Sequence, residues 1–185
     1  MTVLEQTKQL APTGTWTADP VHSNVSFEVG YAGVNDFRGG FREFSATLVG
    51  GDEPTLEGSA KVASVDVKDE QLNGHLQTPD FFDAQRFPEI TFTATELVRG
   101  EGHTVSGKGE LTIKGVSQPI TLEGTIAPEP SVDPFGRERL GLRLHSEIDR
   151  TQYGVSWNAP NQSGGDYLGN DVKLIAELAF VKAGE

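Results

Sequence analysis

The stretch RLGLRLHSEIDR, Arg139 to Arg150, decides how the rest of the chain is interpreted. Apolar residues occupy alternate positions in it, at Leu140, Leu142, Leu144 and Ile148, whereas most of the intervening residues are charged. A period of two places successive side chains on opposite faces of a β-strand. The stretch therefore predicts a strand with one face directed to an apolar core and the other in water.

The same alternation recurs along most of the chain, with turn signals between the repeats. It predicts strands at 25–31, 41–48, 56–67, 89–98, 104–113, 120–126, 140–148 and 172–181. One segment differs, between Val67 and Pro79, where Asp69 is placed to cap a short helix that carries Leu72 and Leu76 on one face. This order of elements predicts an all-β protein, an antiparallel barrel or sandwich with one short helix.

Composition excludes several classes of function. The 185-residue chain has a formal net charge of −12, which repels phosphate backbones, so nucleic acid is not expected as a partner. The absence of cysteine excludes a disulfide framework, a thiolate metal site and a cysteine nucleophile. Residues 1–12 lack periodicity and are predicted to form a flexible tail, followed by a single domain over residues 13–185. No apolar run indicates a signal peptide or a membrane span, which predicts a cytoplasmic location.

Glycines interrupt the predicted inward faces of two neighbouring strands. They are Gly107, Gly109 and Gly124, which share a face with Val105, Leu111, Ile113 and Leu122. Gaps of this kind could line up as an apolar cavity, because a barrel of about eight strands can hold one small ligand. Glycine within a strand also marks a bulge or a barrel corner. The spacing alone favours neither interpretation.

Candidate catalytic and metal-binding residues are scattered along the sequence. Asp19, His22 and Ser23 lie close together, but no Gly-x-Ser-x-Gly elbow surrounds a serine, and these residue types are common in turns. The four histidines show neither a His-x-His pair nor a His-Glu-x-x-His helix. We therefore predict that the protein is not an enzyme and has no catalytic residue, metal site or cofactor.

Four blocks of sequence resemble the YceI-like family of polyisoprenoid-binding, lipocalin-like barrel proteins, between about Gly14 and Lys182. The blocks are WTADPVHSNVSFEV from Trp16, HLQTPDFFDAQRFPEITF from His75, GKGELTIKGVSQPITLEG from Gly107, and DRTQYGVSWN with LGNDVKLIAELAF toward the C-terminus. The resemblance implies an eight-stranded, lipocalin-like antiparallel β-barrel that encloses an apolar channel. It further implies that the channel binds a long-chain isoprenoid lipid, of the polyprenyl or quinone-tail type, for carriage or storage and without chemical transformation.

With this resemblance, the cavity becomes the preferred interpretation of the glycines, and the inward rows become a predicted channel lining. The predicted lining residues are Val25, Phe27, Val29, Phe81, Phe82, Phe87, Phe92, Val105, Leu111, Ile113, Leu122, Leu140, Leu142 and Leu144. The phenylalanines in DFFDAQRFPEITF are expected to cover the barrel end that bears the helix. A purely structural plug is the other interpretation of Phe81 and Phe82.

Other expectations concern function and surroundings. A stress-related or assembly protein with a filled barrel is one alternative, and a small hydrolase or isomerase that uses the barrel mouth is another. Transient membrane contact during lipid exchange and a homodimer are further expectations. Many members of the family resemble exported proteins with a signal peptide, and because this chain shows none, the family's periplasmic setting is not carried over.

Overall fold

The computed structural model describes residues 9–184, and within this range the chain forms a closed antiparallel barrel with a single short helix. The strands are β1 (Gly14–Ala18), β2 (Asn24–Tyr31), β3 (Asn35–Phe41), β4 (Phe44–Gly50), β5 (Thr55–Lys61), β6 (Val65–Asp66), β7 (Glu89–Arg99), β8 (Thr104–Ile113), β9 (Val116–Ile126), β10 (Ser131–Val132), β11 (Glu138–Asp149) and β12 (Leu168–Lys182). The helix is α1 (Glu70–Leu76), and 3₁₀ turns span Val62–Ser64, Glu101–His103 and Arg150–Tyr153. The predicted all-β antiparallel barrel with one helix is confirmed.

Eight strands form the closed ring, in the order β11, β9, β8, β7, β5, β4, β1 and β12. The ring closes because β12 pairs with β11 from Asp171 opposite Asp149 to Val181 opposite Arg139. β12 is long enough to pair with both β1 and β2 along its other edge. The β2–β3 pair thus extends the wall beyond the β1–β4 pair, toward the end of the barrel that carries α1.

The strand predicted at 41–48 crosses a break in the structure, because β3 ends at Phe41 and β4 begins at Phe44. The predicted strand at 56–67 is also interrupted, by the 3₁₀ turn at Val62–Ser64. The two breaks lie next to each other, because the Ser64 hydroxyl of the 3₁₀ turn accepts a hydrogen bond from the backbone N–H of Glu43, between β3 and β4, at 3.0 Å. The apolar alternation changes phase by one position at each break, from Phe41 to Phe44 and from Val62 to Val65, and the predicted strands ran across this change.

The helix forms where the sequence predicted it. The Asp69 carboxylate accepts a hydrogen bond from the Leu72 backbone N–H at 2.8 Å, which satisfies an otherwise free donor of the first turn. The Asn73 side chain then accepts from the Val67 backbone N–H at 2.8 Å and ties the helix to the chain that leaves β6. Leu76 is the buried residue of the helix and directs its apolar side to the barrel.

One end of the barrel is filled by side chains. Its most deeply buried members, all 0% exposed, are Trp16, Leu48, Leu142 and Phe180. Leu10 and Ala11 are buried over this end, and the Trp16 indole N–H donates to the Pro12 carbonyl at 3.0 Å. Of the predicted tail, Leu10 and Ala11 pack on the core, whereas Gln9 and Pro12 are exposed. The flexibility of residues 1–12 stays a prediction. Residues 1–8 lie outside the described residues.

A charged network fastens the strands at the rim of this filled end. The Arg139 guanidinium donates to the Asp19 carboxylate at 2.7 Å and to the Asp133 carboxylate at 2.9 Å. The hydrogen bond from Arg139 is the main cause that lowers the pKa of Asp19 below its usual range. Partial burial acts to raise the pKa of Asp133, but the Arg137 backbone N–H and the Arg139 side chain lower it to about 2.

Arg139→Met is expected to remove stability that depends on pH. Both aspartates have depressed pKa values in the folded state, so their contribution is fully present above the ordinary pKa of 3.8 and is lost as the pH falls toward about 2. The difference in unfolding free energy between wild type and variant should therefore be largest above pH 4 and shrink below it. Urea unfolding at several pH values measures this. Arg143→Met is the control, because Arg143 lies on β11 like Arg139 but forms an exposed ion pair with Glu177 of β12. Its unfolding free energy should differ little from wild type at any of these pH values.

Candidate functional site

The half of the barrel nearer α1 contains an apolar cavity of about 430 Å³. Small inward residues on three strands leave this space, namely Ala46 on β4, Gly58 and Ala60 on β5, and Ala176 on β12. Ala46 and Gly58 lie directly opposite each other in the β4–β5 pair. The volume falls within the range of about 300–1,000 Å³ that is usual for small-molecule sites. The barrel therefore has room for an apolar ligand.

The glycines that stood out in the sequence do not create this space. A side chain at Gly107 would collide with the Glu96 carbonyl, at the point where β7 is bulged. One at Gly109 would collide with the ring of Phe92, and one at Gly124 would meet the backbone of β11. These glycines permit close approach of strands and of an aromatic ring, which was the other interpretation. The informative signal was instead the run of small inward residues on β4, β5 and β12.

Most of the predicted lining residues lie on the cavity wall. They are Val25, Phe27, Val29, Phe81, Phe82, Phe92, Leu111, Ile113, Leu122 and Leu144. The wall also contains residues that sequence reasoning missed, among them Phe37, Phe41, Trp157, Leu168 and Leu174. Phe37 and Phe41 belong to β3, which was not predicted before residue 41, so their inward direction could not be read from a strand pattern.

Four of the predicted lining residues lie away from the cavity. Leu140 and Leu142 belong to the filled end, where Leu140 pairs with Phe180 across the sheet, and Val105 is also buried outside the cavity wall. Phe87 packs instead against the β8–β9 turn at Gly115, and the Arg86 guanidinium lies 5.1 Å from its ring centre. Alternation determines which face a residue is on, but not how far along the barrel axis the cavity extends.

Residues 77–88, which we call the cover, close the cavity end between α1 and β7. Phe81 is buried, and its ring centre lies 5.5 Å from that of Trp157. The Phe82 ring centre lies 5.9 Å from that of Phe41, with the rings edge to face. Both phenylalanines also line the cavity, so the cover is part of its wall.

Hydrogen bonds hold the cover together as a unit. Its backbone N–H groups at Phe82 and Ala84 donate to the carbonyls of Leu76 and Gln77 at 3.0 and 2.9 Å. The Lys114 ammonium, in the β8–β9 turn, donates to the Pro79 carbonyl at 2.6 Å. The backbone bonds order the cover internally, whereas the Lys114 bond, the bond from the Val62 N–H to the Pro88 carbonyl at 2.9 Å and the aromatic contacts attach it to the barrel.

A second loop, residues 154–167, meets the cover at the same end. Trp157 in this loop lies 5.1 Å from the His75 ring of α1 and 6.3 Å from the ring of Tyr167, measured between ring centres. Tyr167 in turn packs edge to face on Tyr31, with 5.1 Å between ring centres. One aromatic cluster therefore joins the helix, the cover, the loop and β2.

The cavity wall also carries buried polar atoms. Ser146, Arg150 and Tyr153 line it and are 6%, 6% and 1% exposed, respectively. Burial lowers the pKa of Arg150, although Asp149 and Asp166 act against this shift. Burial also raises the pKa of Tyr153, so its hydroxyl stays protonated at neutral pH. Sequence reasoning missed these residues, because Ser146 and Arg150 only continue the alternation of β11 at inward positions.

The candidate catalytic residues do not form a nucleophilic site. His22 contacts Asp19 at 2.8 Å, but the Ser23 hydroxyl accepts a hydrogen bond from the Ala179 backbone N–H at 2.9 Å. Asp19 is also committed to Arg139. These contacts are those of a turn that is tied to β12. Over residues 9–184, no group of three or more His, Asp or Glu side chains is placed to hold a metal ion.

Comparison with known proteins shows likeness over nearly the whole chain. The family described as YceI-like domain matches residues 16–180. A UPF0312 protein of Staphylococcus aureus strain USA300 is 30% identical over 169 residues, which cover 89% of this chain and 96% of that protein. No helix in the described range is long and apolar enough to cross a membrane.

Solved structures share the fold. The YCEI protein of Campylobacter jejuni is 26% identical, with a TM-score of 0.69 over 82% of this chain and 88% of its own. BcnA of Burkholderia cenocepacia is 22% identical, with a TM-score of 0.71 over 88% of this chain and 98% of its own. A polyisoprenoid binding domain from Saccharophagus degradans is 14% identical, with a TM-score of 0.70 over 91% of this chain and 98% of its own.

Proposed function

Since the chain belongs to the YceI-like domain family, we propose that it binds a long-chain isoprenoid lipid in the apolar cavity, for carriage or storage, without transforming it. The observation that carries the proposal is the apolar cavity of about 430 Å³ between the filled end and the aromatic cover. The description of the Saccharophagus degradans domain as polyisoprenoid binding supports the choice of ligand class.

The physical chemistry of the wall suits a branched hydrocarbon chain. Burial of one CH₂ group gains about 0.8 kcal/mol, so one five-carbon unit gains on the order of 3–4 kcal/mol before binding costs. The ceiling for large ligands, about 0.3 kcal/mol per heavy atom, leaves about 1.5 kcal/mol per unit. A few units therefore give useful affinity without any polar contact. Polyprenyl lipids and the tails of isoprenoid quinones both meet this description.

Binding without catalysis agrees with the placement of the polar residues. Asp19, His22 and Ser23 lie at the rim of the filled end, whereas the cavity occupies the other half of the barrel. The proposal therefore assigns no chemical step and no cofactor. Lipid exchange by transient membrane contact is part of the proposal, and we assign it to the end that bears the cover. A cytoplasmic location and a homodimer stay predictions.

Mass spectrometry of an organic-solvent extract of the purified protein tests the proposed function. We expect an isoprenoid lipid at a substantial fraction of one molecule per chain, and we expect it to be unchanged after long incubation with the protein. An extract without lipid, together with failure of the emptied protein to take up added polyprenyl lipids, would contradict the proposal. A modified lipid that accumulates with time would favour the hydrolase or isomerase alternative.

A further inference from the structure

Three buried polar atoms on the cavity wall have no hydrogen-bond partner within residues 9–184. They are the Ser146 hydroxyl, the Nη2 nitrogen of Arg150 and the Tyr153 hydroxyl. Leaving a buried polar group unpaired is costly, so native proteins nearly always satisfy such groups with protein, water or ligand. All three residues line the same cavity. Each of the three atoms has less than 1 Å² of accessible surface, so a small side-chain movement is needed before a partner in the cavity can reach it. We take the missing partner to lie in the cavity that the three residues share.

Arg150 is held so that one nitrogen remains available. Its Nε donates to the Gly169 carbonyl at 2.8 Å, and its Nη1 donates to the carbonyls of Val155 and Trp157 at 2.8 and 2.9 Å. These bonds fix the plane of the guanidinium by joining β12 to the loop that carries Trp157. Nη2 is then a positioned donor, and a guanidinium has no acceptor, so its partner must offer an acceptor atom.

The guanidinium charge is not neutralised by direct contact. No carboxylate of the described chain forms an ion pair with Arg150 within 4.0 Å. The neighbouring Asp149 carboxylate is instead bonded to the backbone N–H and hydroxyl of Thr151, at 2.9 and 2.6 Å. Hydrogen bonds from a charged donor to an anionic oxygen are stronger than those to a neutral one. An anion would therefore gain more at this position than a neutral oxygen.

We propose that Arg150, Tyr153 and Ser146 form an internal binding site for the oxygen-bearing head group of the lipid. A head group with an anionic oxygen should bind more tightly than one with a carbonyl, and a carbonyl more tightly than a head group without oxygen. This inference rests on the proposed function, because it assumes that the tail occupies the cavity.

The site also determines the direction of the bound molecule. Arg150 bonds the Trp157 carbonyl, and the Trp157 ring packs on Phe81 of the cover, so the head group lies near the covered end. The tail then extends toward the small residues of β4 and β5, at Ala46 and Gly58.

Three probes with the same farnesyl tail test this site by titration calorimetry. They are a hydrocarbon without oxygen, a methyl ketone and a carboxylic acid, each added to lipid-free protein at neutral pH. We expect the ketone to bind about three- to tenfold more tightly than the hydrocarbon, and the acid about ten- to a hundredfold more tightly. Equal affinities of the three would mean that the polar atoms hold only water, and would overturn the inference while leaving the proposed function intact. Failure of all three to bind would overturn the proposed function.

Tyr153→Phe is the sharpest variant, because it removes only a hydroxyl that has no protein partner. The lipid-free variant should unfold at the same temperature as wild type or higher, since an unpaired buried group is lost. Its affinity for the ketone and the acid should fall about three- to tenfold, while that for the hydrocarbon stays unchanged. Arg150→Met is less suitable, because it would remove three hydrogen bonds to carbonyls together with the charge. The second variant is therefore Ser146→Ala. Its matched control is Ser106→Ala, at an exposed position of β8. Unchanged affinities in both Tyr153→Phe and Ser146→Ala would overturn the assignment.

Discussion

Gly58→Phe is expected to abolish the lipid load of the purified protein while leaving the barrel folded. Gly58 faces the cavity from β5 and has an ordinary strand conformation. A Cβ placed there would meet only the Ser45 carbonyl at 3.3 Å and the Ala46 Cβ at 3.9 Å, so the ring would extend into empty space. Filling a cavity typically adds about 0.5–2 kcal/mol of stability, which offsets the strain of the tight contact.

The measurement is the molar ratio of extracted lipid to protein, with circular dichroism and urea unfolding to verify the fold. Gly141→Phe is the matched control, because Gly141 is on the outer face of β11 and its nearest neighbour would be the Ala127 Cβ at 3.9 Å. The control should keep its full lipid load. A Gly58→Phe protein that is folded and still loaded would place the ligand outside this cavity.

Leu142→Ala and Leu144→Ala are expected to differ strongly, although the two leucines are two positions apart on the same face of β11. Leu142 is 0% exposed within the filled end, so its truncation leaves a void among close-packed side chains and should cost about 3–5 kcal/mol. Leu144 already borders the cavity and makes contacts on fewer sides. Its truncation should cost lipid-free protein about 1–3 kcal/mol.

Urea unfolding of the lipid-free proteins gives both free energies, and the lipid content of the same preparations gives the second readout. The folded Leu142→Ala protein should retain its lipid. Leu144→Ala should have an altered affinity for the lipid, because the substitution changes the wall of the cavity. Equal destabilisation by the two substitutions, with equal effects on the lipid, would mean that the cavity reaches Leu142. The original expectation that Leu140 and Leu142 line the channel would then stand.

The strands of this barrel could be predicted because their side chains alternate between core and water. In β11 the alternation is complete, with Leu140, Leu142, Leu144 and Ile148 buried and the charged residues between them exposed. The helix was predictable for an equally local reason, since Asp69 caps it through the neighbouring Leu72 N–H. Both patterns depend on interactions within a few residues, which a single sequence displays directly.

The site could be predicted only in part, because its limits are set by contacts between distant residues. Whether an inward leucine borders empty space depends on its neighbours across the sheet. Leu142 faces the filled end, whereas the wall at Leu144 continues toward Ala176, its partner on β12. The partner of an inward Arg150 likewise depends on how the loop at Trp157 folds back. No local periodicity encodes such distances.

The packed end around Trp16, Leu48 and Phe180 makes the cavity blind. A tube open at both mouths could pass a lipid straight through, from a donor on one side to an acceptor on the other. A blind cavity cannot act as such a conduit, because whatever enters must leave backwards through the same mouth. If the protein carries lipid, as we propose, it has to leave the donor, turn and present the same end to the acceptor; if it stores lipid, loading and release use that one end.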